Sequence, residues 1–407
     1  MSNKPRLRPL DFQSVVFQGQ QVWYLRDPLQ LSQYQIFIPP ALAQMLIHCD
    51  GTHTPQEIHA ALCLQLGTQL DFAVVADALA QLDEACLLEN ERSQSRLDEL
   101  KAEYRAQPHR PPALANLSYP GTPSILAQTL ENYSNGDDLS DWEPWFGRGI
   151  ISPHIDYQRG GAVYAKVWQR AKTAVLHADL ILVFGTDHNG GPGAFTLTRQ
   201  PYATPYGVLP TDVDLIDKVA DAIGPDAAYA EELHHRQEHS VELTAVWLHH
   251  IYHQADIDPK PMIPILVGSF HHFIGNGSHP AQDKTLMTAI DTLKKETAGK
   301  KVLAVASVDF AHVGPNFGDS FPMDQPRRAA LRQTDDHLAQ SIIRGDVTGF
   351  YDQIAAVNNK NRICGFSPIY LMLRYLGATE GVQIAYDQCT ADEQDTSLVS
   401  IAGILLE

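Results

Sequence analysis

Three histidines of this chain share one sequence setting: each follows a short apolar run and sits among small or acidic residues. Gly149-Ile150-Ile151-Ser152 leads into Pro153-His154-Ile155-Asp156-Tyr157. Asp179-Leu180-Ile181-Leu182-Val183-Phe184-Gly185 leads into Thr186-Asp187-His188-Asn189-Gly190-Gly191. Lys301-Val302-Leu303-Ala304-Val305-Ala306-Ser307 leads into Val308-Asp309-Phe310-Ala311-His312-Val313-Gly314. Imidazole is the commonest metal ligand and the side chain that titrates nearest neutrality. The chain has 18 histidines, so one of them after a strand carries little meaning. Three in equivalent loops form a constellation suited to metal binding or proton transfer.

Two further segments belong with these loops. Gln237-Glu238-His239-Ser240-Val241-Glu242 opens a helix and places Glu238 and Glu242 one turn apart on one face. A carboxylate at a helix start is also an ordinary stabilising feature. The preceding His234-His235 reads as a surface pair. Arg362-Ile363-Cys364-Gly365-Phe366-Ser367-Pro368 precedes the last long helix. A thiol near a helix N-terminus has a lowered pKa, so Cys364 is expected to be accessible and reactive. Cys49, Cys63 and Cys86 lie among apolar residues and read as small hydrophobes. Cys389 ends a late strand and has no evident role.

The elements that must position these residues are of α/β type. Near-continuous Val, Ile and Leu runs at 149–152, 179–185, 262–268 and 301–307 suit strands buried on both faces. Helices are predicted at 161–177, 212–223, 238–253, 283–297, 325–343 and 365–376, with late, antiparallel strands at 383–386 and 398–405. Ligands of such sheets bind beyond the carboxyl ends of the strands, where the three histidine loops fall. This α/β domain is expected over 146–407. It follows a linker at 96–145, where Pro108, Pro111, Pro112, Pro120 and Pro123 interrupt regular structure. Trp142, Trp145 and Phe146 are expected to anchor that linker.

Residues 1–95 read as a separate, small α+β domain. A hairpin around Gly19-Gln20-Gln21 is followed by a Pro-opened helix ending before Cys49, and then by a helix capped at Thr54 with Pro55 and Glu57. A third helix over 71–85 and a closing strand at Leu87-Leu88-Glu89 complete a winged-helix-like arrangement. Between Arg26 and Arg92 there is no Lys or Arg, which argues against the usual nucleic-acid role of such a domain. Asp50 to Ile58 and Leu79 to Leu88 resemble the small domains that recognise leader peptides, of which pyrroloquinoline-quinone chaperone-like domains are an example. That resemblance implies a peptide ligand; a capping domain without a ligand is the alternative.

Composition excludes several classes. A net charge of −18 disfavours nucleic-acid binding, and 44% hydrophobic against 19% charged residues supplies a core. No apolar run reaches the ~20 residues that span a bilayer. Arg6 and Arg8 are not followed by a signal-type apolar segment. Five cysteines form no disulfide framework or zinc-finger spacing, so a cytoplasmic protein is expected. No Gly-x-Ser-x-Gly elbow, P-loop or dinucleotide fingerprint stands at a strand–helix junction.

The ordered motifs Ser152-Pro153-His154-Ile155-Asp156-Tyr157, Gly185-Thr186-Asp187-His188, Glu238-His239-Ser240-Val241-Glu242, Ser307 to Gly314, and Cys364-Gly365 resemble those of the MEMO family over about residues 115–407. In prokaryotes its members are often protein B of the AmmeMemoRadiSam system, alongside an AMMECR-type protein and a radical-SAM enzyme, which the resemblance implies as partners. The family is similar in fold to class III, non-haem-iron extradiol dioxygenases, whose metal is held by two His and one carboxylate. MEMO proteins carry a Cys in place of the carboxylate. The resemblance thus implies His154, His188 and Cys364 as metal ligands and His312 as the acid/base histidine. Asp309 would lie beside His312, with Glu238 and His239 around the pocket. Thr-Asp-His-Asn here departs from the Ser-His-His type motif of many members, and Asp187 is expected to alter pocket charge. Iron or copper is implied, with zinc as an alternative. Three functions stay open: a metal-dependent oxidoreductase, a non-catalytic peptide- or metal-binding protein, and a zinc-dependent hydrolase.

Overall fold

The computed structural model describes residues 3–134 and 142–407. The chain divides into two compact units, 1–106 and 107–407. The expected linker is therefore not a separate segment. Glu91–Ala106 is a helix of the first unit, and Pro123–Asn132 is a helix of the second, opened by its proline. Residues 135–141 of that linker lie outside the described residues. Trp145 is buried, with its indole N–H on a Glu407 carboxylate oxygen. Phe146 is exposed, with its ring edge-on to His177 at 5.2 Å between centroids.

In the first unit, strands β1 (Asp11–Phe17), β2 (Gln20–Arg26) and β3 (Ile36–Ile38) form an antiparallel sheet. The hairpin turn is Gln18-Gly19, one residue earlier than expected. Both residues have positive φ, 50° and 78°, the geometry of a tight two-residue hairpin. Thr54 and Glu57 make the expected reciprocal cap on the helix Pro55–Leu66. Asp71 caps Phe72–Glu84. The expected closing strand at 87–89 is only a bridge from Leu88 to Leu7.

The second unit holds the expected mixed α/β architecture, with helices packed on both faces of a central sheet. Its eight strands are β4 (Gly149–Ser152), β5 (Leu180–Thr186), β6 (Phe195–Leu197), β9 (Met262–Val267), β10 (Val302–Ser307), β11 (His312–Val313), β12 (Gly381–Thr390) and β13 (Leu398–Leu406). A separate ribbon pairs β7 (Tyr202–Thr204) with β8 (Gly207–Leu209). The order is β11-β13-β4-β10-β5-β9-β6, with β12 on β13. Neighbours among β4, β10, β5 and β9 run parallel, and antiparallel strands close both edges. Alternate residues of β5 serve opposite faces. Leu182 and Phe184 pack with Leu215, Ile290 and Leu371 on one side. Ile181 and Val183 pack with Val167, Trp168 and Val246 on the other. A helix at Val347–Ala356 has no counterpart in the sequence reading.

Register decides where the site lies. Ser307 of β10 stands level with Ser152 of β4 and Gly185 of β5. His154, His188 and Asp309 therefore leave the sheet together at its carboxyl edge. Gly185 is needed there for space: a Cβ would lie 2.6 Å from Ser240 Oγ and 2.8 Å from a Val241 methyl. That absence of a side chain lets the helix His239–Ala255 begin against the strand, with Ser240 Oγ donating to the Thr186 carbonyl at 2.9 Å.

Candidate metal centre

The ring nitrogens of His154, His188 and His239 converge, one atom from each lying within 4.8 Å of the others. Cys364 joins them from the turn before the helix Phe366–Leu376, its Sγ 3.3 Å from His154 Nε2. His239 is expected around the pocket and not as a ligand; it stands in the same cluster as the two histidines that the resemblance implies as ligands. His154 is buried, while His188 and His239 are partly open to solvent. The cluster is thus reachable from one side.

Each ring is oriented through Nδ1. His154 Nδ1 lies 2.9 Å from the Ser307 carbonyl. Glu238 serves the other two: its carboxylate lies 3.1 Å from His188 Nδ1 and 3.1 Å from His239 Nδ1. Nδ1–H donation to these oxygens leaves Nε2 of every ring as the nitrogen available to a metal, the arrangement that partners of metal-bound histidine impose. Glu238 is itself fixed as the N-cap of its helix, accepting from Ser240 N–H at 3.0 Å, and it also accepts from His188 N–H at 3.1 Å.

Asp309 ties the loops together. Its Oδ1 accepts from His154 N–H at 2.9 Å and Ile155 N–H at 3.1 Å, and its Oδ2 lies 3.7 Å from His154 Nε2. Its carbonyl accepts from Gly365 N–H at 3.1 Å and from the Cys364 thiol at 3.4 Å. His312 lies three residues on, half-buried, with Nδ1 3.1 Å from the Arg362 carbonyl.

Charge in the cluster follows burial and pairing. Burial pulls His154 well below the usual histidine range, helped by His188 and His239. Burial opposes the charged form of His188 too, yet Glu238 and Cys364 outweigh it and hold this imidazole well above that range. Burial would raise the Glu238 carboxyl, but His188 and His239 prevail and keep it well below the carboxylate range. Burial pushes Asp309 up and His312 down. The Cys364 thiol also differs from expectation: burial raises its pKa, against the opposing pull of His188. Without a metal it is a thiol, not the activated thiolate that its place before a helix predicts.

Two expectations about neighbouring residues are corrected. His234 and His235 are not a surface pair, because the turn Glu232–Arg236 folds both inward. His235 is fully buried, its Nδ1 2.6 Å from the Tyr202 hydroxyl. His234 faces Asp187 at 2.8 Å, so the Asp187 charge is spent on this pair rather than on the pocket. Asp187, Glu231 and His234 form a second convergence of three donor groups.

The sequence reading missed Arg110, which sits among prolines and is fully buried. Its Nε donates to the His235 carbonyl at 2.7 Å and its Nη2 to the Glu238 carbonyl at 3.1 Å. Nη1 pairs with the Glu242 carboxylate, which also accepts from Tyr119 and from the backbone of Ala113 and Leu114. Arg110 therefore pins the backbone from which Glu238 projects. Glu242 faces this network, not the histidines. No local pattern marks the arginine; only the tertiary fold gives it a partner.

The Memo-like protein family matches residues 110–405. A MEMO1 family protein of Aquifex aeolicus is 26% identical over 411 residues, covering 99% of both chains. One of Methanosarcina barkeri is 28% identical over 306 residues, which is 73% of this chain and 100% of the relative. One of Thermus thermophilus is 25% identical over 333 residues, or 82% of this chain and 93% of the relative.

Proposed function

This chain belongs to the Memo-like protein family, and on that premise we propose that it is a metal-dependent oxidoreductase whose centre is held by His154, His188 and Cys364. The observation that carries the reading is the meeting of three Nε2-presenting imidazoles and one thiol at the carboxyl edge of a parallel sheet. The donor set fits a metal. Buried His154 is neutral and needs no compensating charge, while the His188 imidazolium and the Cys364 thiol, each held protonated without a metal, can release a proton to a bound cation. Nitrogen and sulfur donors suit iron and copper, and the Irving–Williams order favours copper.

The bound metal would polarise or activate a substrate or O₂ at an open position. The protein's own groups supply the rest. Glu238 and the Ser307 carbonyl hold the rings in one tautomer. Burial keeps His154 neutral. His312, with Nδ1 committed to the Arg362 carbonyl, offers Nε2 to accept or return a proton. Asp309 fixes the distance between the His154 loop and the Cys364 turn. A dioxygenase-like reaction on a small molecule or modified peptide suits this arrangement, with radical-SAM and AMMECR-type proteins as partners. The first unit, which lacks Lys and Arg from 27 to 91, would then act as a winged-helix-like docking domain for a peptide.

The proximity of His239 favours a second reading. Three imidazoles are also the donor set of catalytic zinc, for which His312 would serve as general base of a hydrolase. Elemental analysis of anaerobically purified protein separates the two. The oxidoreductase reading expects about one Fe or Cu per chain, lost in His154→Ala and Cys364→Ala. Stoichiometric zinc in its place supports the hydrolase, and no metal after reconstitution overturns both.

A further inference from the structure

The turn that carries Cys364 has an unusual backbone. Asn358, Asn359 and Arg362 all lie in the left-handed region, with φ of 51°, 46° and 51°. Asparagine tolerates this region, whereas arginine seldom adopts it. Several contacts hold the turn. The Asn359 carboxamide grips Ile363, accepting from its N–H at 2.9 Å and donating to its carbonyl at 3.4 Å. The Arg362 guanidinium reaches the neighbouring loop. Its Nη1 and Nη2 donate to the two carboxylate oxygens of Asp319 at 3.1 and 2.7 Å, and Nη1 also donates to the His312 carbonyl at 3.1 Å. Asp319 in turn accepts from Gly314 N–H at 2.8 Å.

These contacts close around His312. Its backbone N–H donates to the Asn361 carbonyl at 2.8 Å, and its Nδ1 lies 3.1 Å from the Arg362 carbonyl. A carbonyl can only accept, so Nδ1 carries the proton and Nε2 is the basic nitrogen. Carbonyl and guanidinium of one residue thus address the same histidine. Two residues later, Cys364 and Gly365 are tied to the Asp309 carbonyl. The two loops are stitched at both ends.

We infer that Arg362 and Asp319 are positioning residues: their bidentate pair fixes His312 as the Nδ1–H tautomer and sets its place relative to Cys364. This rests on the reading that His312 and Cys364 work at one site. The guanidinium side chain is 41% exposed and Asp319 13%. Partly exposed pairs add little to stability, whereas two parallel N–H···O bonds fix geometry closely.

The test is nitrogen and carbon NMR of the metal-free, full-length protein with labelled histidine, His312 being identified by its loss in His312→Gln. The wild type is expected to show one Nδ1–H tautomer. Arg362→Ala and Asp319→Asn are expected to show a mixture with the Nε2–H form, and Arg362→Lys to recover part of the wild-type pattern. Cobalt(II) then serves as a probe. Arg362→Ala should bind it about tenfold more weakly, with reduced thiolate-to-cobalt absorption. An unchanged tautomer in Arg362→Ala and Asp319→Asn, at the wild-type melting temperature, would overturn the inference. Should Arg362→Ala fail to fold, Asp319→Asn and Arg362→Lys carry the same comparison. Failure of the wild type to bind cobalt counts against the metal reading alone, because the tautomer result needs no metal.

Discussion

The Sγ of Cys364 lies 3.3 Å from Nε2 of His154, across 210 positions of sequence. Both residues reach this distance through Asp309. The carboxylate of Asp309 holds the His154 backbone, and its carbonyl holds the thiol and the Gly365 N–H. The centre is thus assembled by one residue at the end of β10, the strand that lies between β4 and β5.

Glu238→Gln keeps side-chain size but leaves one acceptor oxygen where His188 and His239 use two, removes the charge and sets an NH2 donor against one ring. Loss of such a partner weakens metal binding by about 10- to 100-fold. Competition against a chromophoric chelator measures this. Affinity equal to wild type would show that the two rings do not depend on the carboxylate.

Much of this site was legible before folding, and the reasons are local. His154, His188, Asp309 and His312 each punctuate the end of an apolar run, so a strand pattern alone locates them at one sheet edge. The sheet's interior was equally plain, because strands buried on both faces leave uninterrupted apolar runs. Other features depend on contacts between distant segments. His239 turns toward the cluster because Glu238 caps its helix and takes its Nδ1. Arg110 gains its role from Glu242, 132 positions away. His234 and His235 look like surface residues beside Arg236 and Gln237, yet Asp187 and Tyr202 draw them inward. The Cys364 thiol is governed by burial, which no spacing reveals.

Arg110→Met leaves the buried Glu242 carboxylate without its cation. Breaking one side of a buried ion pair costs about 3–5 kcal/mol. Denaturant unfolding is expected to report a loss of this size. Metal affinity should also fall, since Arg110 holds the carbonyl of Glu238. A loss under about 1 kcal/mol would mean that Tyr119 and the backbone donors suffice for Glu242.

Burial lowers His235 to about 3. The unfolded chain takes up a proton near the ordinary value of 6.5 while the folded chain does not, so stability is full above that pH and declines as pH falls toward 3. His249 and His250, each held at about 4 by burial, act in the same direction. One such group contributes a slope of about 1.4 kcal/mol per pH unit at most. Urea unfolding between pH 7 and pH 5 should show this decline, and His235→Gln should make it shallower. A variant with the wild-type slope would contradict the assignment.

Gly365→Ala places a Cβ 2.7 Å from Val308 Cβ and 2.8 Å from the Asp309 carbonyl oxygen. Its backbone is right-handed, with φ −70° and ψ −1°, so space and not conformation demands glycine. Overpacking of this kind costs about 1–3 kcal/mol. Thermal unfolding should register the loss, and alkylation of Cys364, followed by peptide mass analysis, should speed up as the turn leaves Asp309. Wild-type stability and alkylation rate would show that the turn relaxes freely.

X-ray absorption at the metal edge tests the centre most directly. With one equivalent of the native metal bound, the account predicts nitrogen scatterers from imidazole together with one sulfur at about 2.3 Å. The sulfur should vanish in Cys364→Ala, and the imidazole contribution should fall in His188→Ala. A first shell of nitrogen and oxygen alone in the wild type, unchanged in Cys364→Ala, would contradict it.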